Sequence, residues 1–197
     1  MQWEERIKSL LKKVVLYQFG KYPAEKLDEE LTRFLKDAET VVCKVLRKNG
    51  AICFREYVED YGVEEAEKLV ENDARNFEML GTGGKLIADL IRISRNLYDV
   101  ERKPLSEKIL LFDKVIHAEH WAGAFKDYLA EEKSIFGVDI PKIKNQVDME
   151  LMKELYGTST STGVKCPVCG KPISPGEPWT EVDGKRMHWK CFREGVA

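Results

Sequence analysis

The stretch from Pro23 to Gly50 reads PAEKLDEELTRFLKDAETVVCKVLRKNG, and its pattern sets the fold class. Leu27, Leu31, Phe34, Leu35, Ala38, Val41, Val42, Val45 and Leu46 recur at spacings of three and four. That period places them on one side of a long helix. Pro23 suits the first helical position, where its missing N–H costs no bond, and Asn49-Gly50 supplies the stop. An apolar stripe of this length has to be covered by other elements, and the flanking sequence offers helices to cover it.

On the N-terminal side, Trp3, Ile7, Leu10, Leu11, Val14 and Val15 share one helical face, ended by Gly20. On the other side, Phe54, Tyr57, Val58 and Tyr61 form a short stripe. Gly62 breaks it, and Ala66, Leu69, Val70, Ala74, Phe77 and Leu80 begin again. Two helices around a glycine can suggest a DNA-reading pair. The second one carries Glu64, Glu65, Glu67, Glu71 and Asp73, which phosphate would repel. Gly81-Thr82-Gly83-Gly84-Lys85 resembles a phosphate loop but has Met79 where the first glycine belongs and Leu86 where Ser or Thr should bind magnesium. It reads as a connector into a helix through Leu86, Ile87, Leu90, Ile91, Leu97 and Tyr98. After the Lys103-Pro104 break, Ser106 is the expected N-cap of a helix running to about Glu132. A looser apolar segment covers 134–141, and a last helix is expected over Val147 to Tyr156.

The chain of 197 residues is 43% hydrophobic and 34% charged, with a net charge of −2. These values fit a highly charged globular protein and give no global pull towards nucleic acid. No apolar run is long enough to span a membrane, and the first residues do not have the pattern of a signal peptide. The expected location is cytoplasmic. Cys43 and Cys53 are accordingly expected as buried thiols rather than a disulfide. Lys and Glu are abundant and Gln is scarce, a composition common in thermophile proteins.

The character changes at Gly157-Thr158-Ser159-Thr160-Ser161-Thr162-Gly163, which cannot bury apolar surface. The sequence therefore divides into a helical, bundle-like body over 1–156, a flexible linker over 157–164 and a small module over 165–197. In that module Cys166-Pro167-Val168-Cys169 is followed, after eighteen residues, by His188-Trp189-Lys190-Cys191. Two pairs of ligands, each with two residues between, are what one tetrahedral zinc ion requires. Four protein ligands leave no open position, so the zinc is structural. Gly170 follows the second thiolate, Trp179–Val182 and Lys185–His188 read as strands, and Asp183-Gly184 is a two-residue hairpin turn. That register sets Val182 opposite Lys185, Glu181 opposite Arg186 and Trp179 opposite His188. Cys191 then follows on a short helix, with Phe192 packed beneath. A knuckle, a hairpin and a ligand-bearing helix make a treble-clef arrangement.

A second candidate lies in the body, where Asp113, His117 and His120 would share a helical face. They are a partial metal site at most, since helical bundles draw further ligands from a second helix. His117-Ala118-Glu119 with Cys166 and Cys169 imitates a zinc deaminase signature, but Lys165 replaces its proline and the cysteines have nearer partners.

The run Cys-x-x-Cys, eighteen residues, His-x-x-Cys-Phe resembles the first zinc-binding half of a LIM domain. Cys-Gly-Lys-Pro-Ile, Gly-Glu and His-x-x-Cys-Phe are also similar to the PARP-type finger. The resemblance covers about the last sixth of the chain. It departs from LIM in lacking a second site after Arg193, and from PARP-type fingers in its shorter gap before the histidine. A LIM-like module implies a protein partner and a PARP-like one implies DNA. From Lys165 onward six basic side chains face four acidic ones, too small an excess to decide. The expected function is a non-enzymatic, zinc-binding interaction or adaptor protein. Its tethered finger would dock on a protein or nucleic-acid partner. The alternative is a metal-dependent enzyme or ligand-binding helical protein centred on Asp113, His117 and His120.

Overall fold

The fold is given by a computed structural model that describes residues 3–122, 131–155, 164–174 and 176–195. It is mainly α-helical and divides into two compact units, Met1–Ile140 and Pro141–Ala197. The division falls ahead of the boundary expected at 157. This division groups the last long helix, from Pro141 on, with the C-terminal unit. Of the expected linker, only Val164 lies within the described residues.

In the first unit the helices are α1 (Trp3–Gln18), α2 (Ala24–Lys48), α3 (Phe54–Tyr61), α4 (Val63–Glu78), α5 (Thr82–Leu97) and α6 (Leu105–Ile116), with one 3-10 turn at Val100–Arg102. The long amphipathic stretch forms α2, which packs against α1, α5 and α6. Its Leu27, Leu31, Phe34, Leu35, Ala38, Val42 and Leu46 are fully buried. Each large apolar side chain removed from water this way stabilises the fold by about 1.5–3 kcal/mol. Phe34 is the hub of an aromatic cluster, with ring centroids 5.5 Å from Trp3, 5.2 Å from Phe112 and 5.8 Å from Phe136. Lys108 of α6 buries its stem and reaches Asp28 of α2 at 2.8 Å, so its charge is paired where it enters the core.

Three acidic side chains of α4 pair with arginines of α5. Glu67 accepts from Arg95 at 2.6 Å, and Arg92 pairs with Glu71 at 3.3 Å and with Glu78. The glycine-rich connector between these helices has a packing role. Gly84 is buried, and a Cβ there would lie 2.0 Å from the Phe77 carbonyl oxygen and 3.0 Å from the Leu80 Cβ. Gly84→Ala is thus expected to push α4 and α5 apart and destabilise the chain by about 2 kcal/mol, despite alanine's better helix propensity. Urea unfolding of the two proteins measures the difference.

Two expectations are overturned in this unit. Ser106 is not an N-cap, because α6 already begins at Leu105, with Pro104 in the capping position. The helix also ends at Ile116, not near Glu132. Beyond it, strand β1 (Glu119–Ala122) pairs antiparallel with β2 (Glu131–Ser134), with His120 opposite Lys133. Ile135 N–H donates to the Ala118 carbonyl at 3.1 Å and extends the pairing. Ile135 and Phe136 are then buried, as their apolar character requires.

Cys43 and Cys53 form a disulfide, contrary to the expectation of free thiols. The chain reverses at Asn49–Gly50, where Ala51 N–H returns to the Leu46 carbonyl at 2.9 Å. That turn brings the two Cα atoms to 5.3 Å, within bridging range.

The second unit holds α7 (Ile140–Leu155), strands β3 (Trp179–Val182) and β4 (Lys185–His188), and α8 (Trp189–Gly195). Helix α7 starts earlier than expected, with Pro141 in its first turn, where proline is tolerated. Ile143, Val147 and Leu151 form its buried stripe. No helix among the described residues is long and apolar enough to cross a membrane.

Candidate metal centre

Three local structures bring the ligands together. The first is the knuckle at Cys166–Cys169. Gly170 N–H returns to the Cys166 carbonyl at 2.9 Å, and Cys166 N–H donates to the Lys171 carbonyl at 2.9 Å. Gly170 has φ +70°, a conformation that glycine adopts without a steric penalty. The second is the β3–β4 hairpin. Its register is Trp179 with His188, Thr180 with Met187, Glu181 with Arg186 and Val182 with Lys185, as the sequence predicts. Asp183 and Gly184 have φ of 51° and 74°, the pair of positive values that a type I′ turn demands. The third is α8, which follows His188 directly and carries Cys191.

The outcome is one group of ligand atoms, the sulfurs of Cys166, Cys169 and Cys191 and a ring nitrogen of His188, all within 4.8 Å of one another. It is the only group of three or more such side chains among the described residues, and it can hold a metal ion. His188 Nδ1 lies 3.3 Å from Cys169 Sγ and 4.0 Å from Cys191 Sγ. For tetrahedral zinc, with metal–sulfur and metal–nitrogen bonds of about 2.3 and 2.0 Å, the sulfur–nitrogen separation is about 3.5 Å. The observed distances bracket that value.

The electrostatics also point to a cation. Burial opposes ionisation of the Cys166 thiol, but the backbone N–H groups of Cys169, His188 and Val168, with the His188 ring, outweigh it and lower the thiol to about 6. Cys191 moves the other way: burial and the neighbouring Cys169 and Cys166 sulfurs push it up to about 11. Burial alone would lower His188, yet its bonds to the Cys166 and Cys169 sulfurs and to Glu177 raise it. Three sulfurs in so small a space do not all ionise without a compensating charge, and a divalent cation supplies one.

Around the cluster the core is small. Ile173 and Trp189 are buried, and Trp189 stacks on Phe192 with centroids 5.7 Å apart. Trp179, paired with His188 across the hairpin, carries the Arg186 guanidinium on its ring at 4.5 Å. Trp189, the buried tryptophan, was hidden in the sequence between two ligands. Arg193 of α8 pairs with Asp148 of α7 at 2.8 Å, joining the ligand helix to the rest of its unit.

The histidine candidates do not assemble on a helix. His117 caps α6, its Nδ1 2.7 Å from the Asp113 carbonyl oxygen and 3.6 Å from the Asp113 carboxylate. His120 sits on β1. The shared helical face proposed for Asp113, His117 and His120 is absent because the helix ends at Ile116, ahead of both histidines. His117 opens onto a cleft with Asp89, Asn96, Lys114 and Glu119, but among the described residues no ligand set of three or more includes it.

No protein-family model, curated protein or solved structure matches the chain.

Proposed function

We propose that the chain is a non-enzymatic interaction protein whose C-terminal module is a treble-clef finger built on one structural zinc ion. The observation that carries this reading is the closed set of Cys166, Cys169, His188 and Cys191, whose ligand atoms lie within 4.8 Å of one another. Three thiolates and an imidazole suit zinc, and four protein ligands leave no position for a substrate or water. The knuckle, hairpin and helix follow the order of the LIM-half and PARP-type fingers that the sequence resembles.

A protein partner fits the surface better than a nucleic acid. Among the basic side chains of the module, Arg186 is 3.6 Å from Glu181, Lys190 is 3.9 Å from Glu194 and Arg193 is 2.8 Å from Asp148. With six basic side chains against four acidic ones, and three of the six in such pairs, the module has little net positive charge to attract phosphate. Val168 at the tip of the knuckle is an exposed apolar side chain.

The test compares the full chain with Cys169→Ser in affinity purification from its native cells and in fluorescence anisotropy with duplex DNA at low and high salt. The reading predicts a protein partner retained by the parent chain and lost by the variant, with no salt-sensitive DNA binding. Salt-sensitive duplex binding would assign the module to nucleic acid. Equal capture by both proteins would remove the module from the interaction.

A further inference from the structure

Glu177 lies outside the ligand set, yet its carboxylate reaches it. One oxygen, Oε2, is 3.2 Å from His188 Nε2 and accepts the Ser174 N–H at 2.6 Å. Glu177 N–H in turn donates to the Ser174 carbonyl at 3.1 Å, closing a tight turn in which Gly176 has φ +87°. The turn therefore fixes the carboxylate before it meets the imidazole. On the opposite edge of the ring, Nδ1 faces the Cys169 and Cys191 sulfurs at 3.3 and 4.0 Å.

An imidazole that binds a metal through one nitrogen must carry its proton on the other, and a carboxylate on that second nitrogen fixes both tautomer and ring angle. Resting on the reading of this cluster as a zinc site, we infer that Glu177 is its positioning residue: it accepts the His188 Nε2–H and so presents Nδ1 to the metal. Sequence spacing gives no sign of this, because Glu177 precedes the hairpin and is brought back to His188 only when the strands pair. Its link to Ser174 also ties the orientation of His188 to the segment that follows the cysteine knuckle. A side chain eleven residues from its histidine thereby couples the two halves of the ligand set.

The experiment uses the full chain, Glu177→Ala and Glu177→Gln. Zinc affinity is read by competition with a chromophoric chelator, and the imidazoles by NMR of 15N-histidine protein. The chain has three histidines, so His117→Ala and His120→Ala assign the His188 signals. The zinc-loaded parent is expected to show a slowly exchanging Nε2–H and a metal-shifted Nδ1 for His188. Glu177→Ala is expected to lose affinity about 10- to 100-fold and to lose the protection of that proton. Glu177→Gln retains an acceptor oxygen and should recover most of both. Parent-like affinity and a protected Nε2–H in Glu177→Ala would overturn the role of Glu177 while leaving the zinc site standing, as would metal on Nε2 of the parent. A parent chain that binds no zinc would overturn the zinc reading and this inference together.

Discussion

Cys169→Ser is expected to leave the C-terminal segment from Lys165 to Gly195 without a stable fold. The reason is the size of its core. Among the described residues of that segment the buried side chains are Cys166, Ile173, Thr180 and Trp189, and one of the four is itself a ligand. Two or three buried groups, at about 1.5–3 kcal/mol for a large apolar one, do not offset about 1–2 kcal/mol of backbone entropy at each ordered residue. A structural zinc ion contributes on the order of 10 kcal/mol to small modules of this kind. Losing one thiolate also leaves the remaining sulfurs with no shared cation. Hydrogen exchange on the full chain should show amides of residues 165–195 losing protection in the variant, while those of α2 and α5 stay protected. Adding a strong chelator to the parent should give the same pattern. Undiminished protection in the segment would mean that the fold does not depend on metal.

The second large effect belongs to the Cys43–Cys53 bridge. It closes a loop of ten residues, for which the chain-entropy account gives roughly 3 kcal/mol of stabilisation. Cys53 is buried as well, so replacing it disturbs packing beside Phe54 at the start of α3. Cys53→Ser is therefore expected to lower the thermal midpoint by roughly 10 °C in a chain of this size. Calorimetry measures the shift. Alkylation of the parent under denaturing, non-reducing conditions with chelator should add three groups to its five cysteines. Five additions would show that the bridge does not form. A bond of this kind does not persist in the reducing cytosol of a mesophile, whereas intracellular proteins of hyperthermophiles do carry disulfides.

What could be read from the sequence was whatever rests on local rules. Helix α2 follows from a stripe of apolar residues ended by Asn49-Gly50, and the hairpin register follows from Asp183-Gly184, which suits one turn type. The four metal-type ligands follow from spacing alone. What could not be read depends on contacts made at a distance. The segment after Ile116 has a helical pattern in Ala118, Ala122 and Phe125, yet Glu119–Ala122 becomes a strand because Glu131–Ser134 is available to pair with it. That tertiary choice dissolved the histidine face. Cys43 and Cys53 lie ten residues apart on what reads as separate helices, and only the chain reversal at Gly50 shows that they meet. Glu177 was likewise an ordinary turn residue until the hairpin placed it on His188.

The proposed function stands on one zinc ion held by Cys166, Cys169, His188 and Cys191. Elemental analysis of the full chain, purified without chelator, tests it most directly. One zinc per chain is expected in the parent and in His117→Ala, and none in Cys169→Ser. A parent chain free of zinc, retention of zinc by Cys169→Ser, or a second equivalent lost with His117→Ala would contradict it.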